Sequence, residues 1–334
     1  MLRGERGASI AGARASAKHP GRRWGVFAFK LAISASLLVL LFRHIPFARG
    51  ASLLLASDPF VVMAGGGLMF MQTGLSALKW HVLLRAQGVA VPYLKLVRTY
   101  FLANFINLFT PGFLGGDAYR SLSLRRYTGG IVKSLPSVIV DRITGLIVLI
   151  ALAATGASLY LVPQHPLATV CLILVTGAAG YAVLLIVIDP LLHRIAGGST
   201  HPLLTLLLDL LAALRPSSFL GKAFAVALIF QLNIVFIVCL WSAGLHLSAT
   251  VSQLFLIVPT VYLLEILPIS ISGVGLREGT YAVLFSFFSL PPEQGLALGL
   301  LTSIMRYIVG AIGAFVWFIP DETRRNASSV PRAT

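Results

Sequence analysis

The chain has 334 residues, of which 57% are hydrophobic and only 11% charged. Soluble domains carry about 25% charged residues, so this composition excludes an ordinary soluble enzyme and describes a polytopic membrane protein. The formal charge of +15 sits in tails and inter-helix loops rather than on one amphipathic face, which reads as orientation signal and contact to anionic headgroups and excludes nucleic acid as a partner.

Residues 1–23 form a basic tail with Arg3, Arg6, Arg14, Lys18, Arg22 and Arg23. The apolar run that follows reaches Phe42 without a small-residue cleavage site, so it reads as a retained first helix rather than a signal peptide. A span needs about 20 apolar residues, and the pattern predicts spans at 24–42, 58–78, 135–162, 167–188, 222–245, 250–268 and 296–319. Two shorter candidates are 96–113 and 276–290, each beside a Gly/Pro-broken polar motif. The run 202–214 is too short to cross and is placed in the interface. The expected fold is therefore an all-α, polytopic integral-membrane helical bundle of about seven or eight spans plus one or two re-entrant or broken segments. Its domains are the tail 1–23, a transmembrane domain 24–320 and a polar tail 321–334.

Loop charges then set the orientation. The basic tail places the N-terminus in the cytoplasm, at the cell (inner) membrane. Lys79, Arg85, Lys95 and Arg98 are cytoplasmic on the same count, as are Arg120, Arg125, Arg126 and Lys133. If 96–113 crossed fully, that second group would lie outside, so the segment is expected to be a hairpin that enters and returns. The loops 163–166 and 246–249 lack Lys and Arg and fit the outside, and 189–221 fits the inside. A cytoplasmic C-terminus requires 276–290 to cross as a short tilted helix; a re-entrant 276–290 puts that end outside.

The first broken motif runs from Asn104 to Arg120 and holds Pro111, Gly112, Gly115, Gly116 and Asp117. Proline removes a donor and glycine permits close backbone approach, so such a turn can present successive N–H groups to an anion, with Arg120 as a forked phosphate partner. The bland reading is a cytoplasmic turn with an Asp117–Arg120 pair. Asn104 and Asn107 share one helix face, and two amides in an apolar helix need partners.

Asp141 and Arg142 lie about two turns into the predicted span 135–162, followed by Gly145. Adjacent charges on a helix do not face each other. Each therefore seeks a partner in the preceding hairpin, Arg120 for Asp141 and Asp117 for Arg142, or else snorkels to the headgroups.

The second broken motif holds Glu265, Pro268, Ser270, Ser272, Gly273, Gly275, Arg277, Glu278 and Gly279. Leu276 begins a new apolar segment, so the amides near Gly273–Arg277 form a helix N-terminus suited to an anion. Arg277 adds charge there; Glu278 stabilises the dipole or pairs with Arg277 or Arg306. Glu265, the deepest acid, is either a proton-coupling group or a structural partner of Arg306. Gln231 and Asn233 are read as helix glue rather than cavity lining, and Gly295 and Gly299 as close helix packing.

Cys171 and Cys239 lie singly in apolar runs, and the 7 histidines show no i, i+4 pairing. No disulfide, metal site or cofactor is expected, and no P-loop pattern is present.

The three ordered motifs, Asn-x2-Asn…Pro-Gly…Gly-Gly-Asp-x2-Arg at 104–120, Asp-Arg-x2-Gly at 141–145 and Leu-Pro-Ile-Ser-x-Ser-Gly-x-Gly-x-Arg-Glu-Gly at 267–279, resemble the lysylphosphatidylglycerol synthase transmembrane-region family of flippase-like membrane proteins. In bifunctional members this part moves an aminoacylated phospholipid between leaflets and a C-terminal soluble domain makes it. That second domain has no counterpart here, so lysyl-lipid synthesis does not carry over. Stand-alone relatives are linked to polyprenyl-linked sugars and hopanoid-type lipids. The resemblance implies lipid handling and leaves the lipid open (phospholipid, polyprenyl phosphate or hopanoid-type); joined to the anion-suited motifs it gives translocation of a phosphate-bearing lipid as the expectation, with a separate lipid-modifying enzyme as a second candidate partner. Arg120, Arg142 and Arg277 are the expected headgroup contacts, held by Asp117, Asp141 and Glu278. Asn104, Asn107, Gly115, Gly116, Ser270, Ser272, Gly273 and Gly275 complete the expected binding surface. Two other classes stand beside it: an integral-membrane transferase with Asp117 or Glu265 as base, and a non-catalytic partner of a lipid-modifying enzyme.

Overall fold

The computed structural model describes residues 45–110, 113–161 and 218–318, with Cys171 and isolated positions between 32 and 43. Among these residues every regular element is helical: α1 (Phe47–Leu55), α2 (Pro59–Ala86), α3 (Tyr93–Asn107), α4 (Leu114–Thr128), α5 (Ile131–Leu161), α6 (Ser218–Gly244), α7 (Val251–Glu265), α8 (Leu276–Phe287) and α9 (Pro292–Phe318). The predicted span 167–188, the interfacial run 202–214, both tails, and Pro111 and Gly112 lie outside the described residues, as does most of 24–42.

Four helices are long and apolar enough to cross a bilayer: Pro59–Ala86, Ser134–Tyr160, Phe219–Gly244 and Pro292–Phe318. They match the expected spans at 58–78, 135–162, 222–245 and 296–319, with one difference that matters below. The helix beginning at Pro59 does not stop at residue 78; it continues through Lys79 to Ala86. Asp58 caps its start by accepting a hydrogen bond from Phe60 N at 2.8 Å, with Pro59 at the first helical position, where its missing N–H costs nothing.

The two helices of the first hairpin, α3 and α4, have 15 residues each. Each rises about 22 Å, short of the ~30 Å hydrocarbon core. Helix α8 has 12 residues and rises about 18 Å, so it is too short for the tilted crossing proposed for 276–290 to be made by helix alone. Helix α1 is an element the sequence reading left unassigned. It is amphipathic and rests on α9, with Gly50 against Leu296 and Arg49 3.6 Å from Glu293.

Packing brings both broken motifs to one region. Helix α2 lies along α6, α5 lies along α7, and α9 packs on both α8 and α3. Gly295 and Gly299 face the α8 backbone at Tyr281 and Glu278, the close helix packing their spacing predicted. The largest buried cluster joins α6, α7, α8 and α9 around Trp241, Ile257, Tyr281, Phe285 and Leu298. This cluster holds the second break rigidly against the long helices.

Candidate functional site

The first motif folds as a hairpin because its glycines let α4 approach α3. Gly116 N donates to Asn107 Oδ1 at 2.7 Å, and a Cβ at Gly116 would lie 2.8 Å from Ala103 O. One of the two predicted amides thus fastens the turn. The other, Asn104, donates to Thr73 Oγ1 of α2 at 3.4 Å.

Beneath this hairpin, Asp141 on α5 is the centre of a buried ion cluster. Its carboxylate lies 3.0 Å from Lys79 Nζ and 2.7 Å from Arg120 Nη2, and it accepts a hydrogen bond from Tyr100 OH at 2.9 Å. Lys79 Nζ also donates to the Asp141 carbonyl at 2.8 Å. The Arg120 guanidinium lies 4.3 Å from the rings of both Trp80 and Tyr100, which meet edge to face, and its side chain is 2% exposed. Both predicted cross-pairings are present. Arg142 grips Asp117 with two hydrogen bonds of 2.8 Å, from Nε and Nη2. Asp117 also accepts from Arg120 Nη1 at 3.2 Å, so one carboxylate is shared between two arginines.

Lys79 is a correction to the charge count. A buried lysine in α2 is not a loop charge, and it lends no weight to the cytoplasmic placement of that loop. Stopping the span at residue 78 hid it; the apolar residues that continue through Leu83 and Leu84 are the signal that finds it.

The second motif breaks the chain between α7 and α8. Ser272 and Gly273 both take left-handed backbone angles, φ 54° and 81°. A Cβ at Gly273 would lie 2.7 Å from Arg277 Nη2, so glycine admits the guanidinium beneath the turn. Arg277 is buried. Its Nε donates to Glu265, its Nη1 to Ser303 of α9, and its Nη2 to the Ser272 carbonyl at 3.0 Å. Glu265 is shared: its second oxygen accepts from Arg306 Nη2 at 2.9 Å. The predicted structural pair Glu265–Arg306 is therefore present, extended by Arg277.

Of the roles expected for Glu278, the structure shows the one at the helix N-terminus rather than that of holding an arginine. One oxygen accepts from Gly275 N at 2.7 Å and the other from Ser303 Oγ, which caps α8 and links it to α9. The protein's own carboxylate thus occupies part of the helix N-terminus that the sequence offered to an anion. Helix α8 does begin at Leu276, as read. Ser270 Oγ is buried with no hydrogen-bond partner among the described residues.

The two motifs meet. Ser272 N donates to Thr110 O at 3.3 Å, one break bonded to the other. Beside that junction the Phe113 ring has the Arg142 guanidinium at 4.8 Å and the Arg306 guanidinium at 6.0 Å. Arg306 also lies 5.6 Å from the Tyr262 ring. Five cations (Lys79, Arg120, Arg142, Arg277, Arg306) face four carboxylates (Asp117, Asp141, Glu265, Glu278), one positive charge in excess. Lys79, Trp80, Tyr100, Phe113, Ser303 and Arg306 were not among the expected site residues. Gln231 Nε2 donates to Gly145 O at 3.1 Å, the helix-gluing role expected of it. Gly145 in turn leaves room for Lys79, whose Nζ would lie 3.1 Å from a Cβ there.

The family described as lysylphosphatidylglycerol synthase TM region matches residues 27–314 of the chain. No curated protein and no solved structure matches it.

Proposed function

Since the chain belongs to the lysylphosphatidylglycerol synthase TM-region family, we propose that it moves an anionic, phosphate-bearing lipid between the leaflets of the cell membrane. The observation that carries this reading is the joined pair of broken motifs, bonded through Thr110 and Ser272 and holding one excess positive charge. Charged side chains among membrane-spanning helices are costly, and by default they mark a substrate path. Non-helical backbone at that depth is tolerated only where it is buried in protein or lines a wet cavity. Paired breaks in the two halves of a chain are the usual mark of a transporter's binding site. In this reading the α3–α4 hairpin is re-entrant from the cytoplasmic side and the basic N-terminal tail is cytoplasmic. The lipid is a phospholipid, a polyprenyl phosphate or a hopanoid-type lipid.

Reconstitution tests it. Purified protein in liposomes receives fluorescent phospholipids and polyprenyl phosphates, and the fraction reached by a membrane-impermeant quencher is followed. Protein-dependent leaflet exchange of an anionic lipid without chemical change is the expected result. A new lipid product identifies a transferase instead. Neither exchange nor product, with the protein folded, refutes the translocase reading and leaves the role of a partner to a lipid-modifying enzyme.

A further inference from the structure

We infer that the ligand's phosphate is held at the seam of the two motifs, by Arg142 and Arg306, both over the Phe113 ring, and that Asp117 is the carboxylate it displaces from Arg142. This rests on the anionic-lipid reading above; of the three arginines the motifs suggest it keeps Arg142, and it puts Arg306 in place of Arg120 and Arg277.

Exposure separates the five cations. Side-chain exposure is 8% for Lys79, 2% for Arg120 and 1% for Arg277, against 45% for Arg142 and 19% for Arg306. Arg277 commits Nε, Nη1 and Nη2 to protein oxygens, and Arg120 commits Nη1 and Nη2, its Nε being buried with no partner among the described residues. To bind a phosphate, either would have to be drawn out of its buried contacts, which is costly for a charge. Arg142 and Arg306 already reach the surface, and each can turn to a new anion while its carboxylate stays on a second holder. Asp117 keeps Arg120 at 3.2 Å when Arg142 turns away. Glu265 keeps Arg277 when Arg306 turns away.

The geometry also matches an amphiphile rather than a bare ion. Phe109 and Leu114, on the same segment as Phe113, are each 62% exposed, and Ile266 and Leu267 in the second break are 45% and 47% exposed. Apolar surface of this kind, next to two arginines, suits a phosphate carrying a hydrocarbon chain. Arginine presents a planar fork that matches phosphate oxygens in pairs. In the structure that fork on Arg142 is filled, oxygen for oxygen, by Asp117. Asp117 therefore stands where the phosphate binds.

The test is equilibrium binding of a fluorescent short-chain phosphatidic acid to the purified full-length protein in uncharged detergent, with inorganic phosphate and phosphatidylcholine as competitors. Arg142→Gln is expected to weaken binding about tenfold, as loss of one charge-assisted forked contact does. Arg306→Lys, which keeps the charge and its hold on Glu265, weakens it about threefold by losing the fork. Asp117→Asn, which empties the Arg142 fork, tightens binding severalfold, a gain that no merely structural role produces. Arg125→Gln, on an exposed residue away from the seam, leaves it unchanged. If the wild type binds phosphatidic acid while Arg142→Gln and Arg306→Lys match it, the seam assignment is overturned and the lipid reading stands. Binding of phosphatidic acid no better than phosphatidylcholine overturns the lipid reading and the assignment with it. Competition by inorganic phosphate as effective as that by unlabelled phosphatidic acid, still sensitive to Arg142→Gln, keeps the phosphate site but assigns it to a soluble anion.

Discussion

Asp141→Asn removes a single charge and one hydrogen-bonding preference, yet the structure makes it a strongly disruptive change. The Asp141 side chain is 4% exposed and receives Lys79 Nζ at 3.0 Å, Arg120 Nη2 at 2.7 Å and Tyr100 OH at 2.9 Å. Asparagine offers one acceptor oxygen to these donors and turns an amide against the remainder. Around the site three cations (Lys79, Arg120, Arg142) then face one carboxylate, Asp117. Neither Lys79 nor Arg120 reaches water, at 8% and 2% exposure. Removing one partner of a buried pair costs about 3–5 kcal/mol, and that range is expected here, with Lys79 left without a carboxylate and Arg120 holding Asp117 alone. Asp117→Asn offers the contrast. Its side chain is 23% exposed and its main partner Arg142 is 45% exposed, so solvent screens the loss and the cost is about 1 kcal/mol. The assay is reversible unfolding in mixed micelles of denaturing and mild detergent, followed by circular dichroism. Removing Lys79 together with Asp141, as Lys79→Met/Asp141→Asn, should cost less than the two single changes combined by at least ~1 kcal/mol. If Asp141→Asn costs no more than Asp117→Asn, the cluster is not the buried charge centre described here.

Gly116→Ala places a Cβ 2.8 Å from Ala103 O and 2.7 Å from Asn107 Oδ1; it is expected to cost about 1–3 kcal/mol by overpacking and to open the α3–α4 hairpin to limited proteolysis. Glu278→Ala removes the acceptor for Gly275 N and for Ser303 and should cost about 1 kcal/mol as a lost helix cap, whereas Glu278→Gln retains an oxygen for Gly275 and costs less in the same unfolding assay. Arg125→Cys, in a chain with Cys171 and Cys239 replaced, is expected to react with an impermeant maleimide from the cytoplasmic side only, and labelling from outside would reverse the assigned orientation.

The parts of the site legible in the sequence were those controlled by local chemistry. Pro268, Gly273 and Gly275 marked where α7 ends, and Leu276 was recognisable as the first residue of the next helix because apolar periodicity resumes there. The pairing of Asp141 with Arg120 and of Asp117 with Arg142 followed from the rule that adjacent helical charges point apart. What the sequence did not reveal depends on contacts across long separations. Lys79 and Asp141 are 62 positions apart, and only the packing of α2 beside α5 makes that lysine a cluster member. The cation–π contacts of Trp80 and Tyr100 with Arg120 are invisible in composition, since an aromatic residue in a membrane helix most often just packs. Glu278 was legible in part: its place in the first turn of α8 gave the role at the helix N-terminus, and the neighbouring arginine gave a competing partner that the structure does not use.

The two halves of the site share a plan that neither motif discloses alone. In the first, Asp117 is divided between buried Arg120 and exposed Arg142. In the second, Glu265 is divided between buried Arg277 and the more accessible Arg306. Each buried arginine is immobilised, by aromatic rings in one case and by Ser303 and the Ser272 carbonyl in the other. It therefore fixes a carboxylate, and the carboxylate fixes the outer arginine. A binding group positioned in advance loses less freedom when the ligand arrives, and groups whose supporting shell is packed hold their geometry best. The Thr110–Ser272 hydrogen bond and the shared Phe113 ring then bring the two outer arginines to the same seam. On this reasoning the cost of placing four carboxylates and five cations among the helices has a function: it directs two guanidinium groups to one seam. Substitutions at Arg120 or Arg277 should then weaken phosphate binding through loss of structure, while those at Arg142 should weaken it with the fold intact.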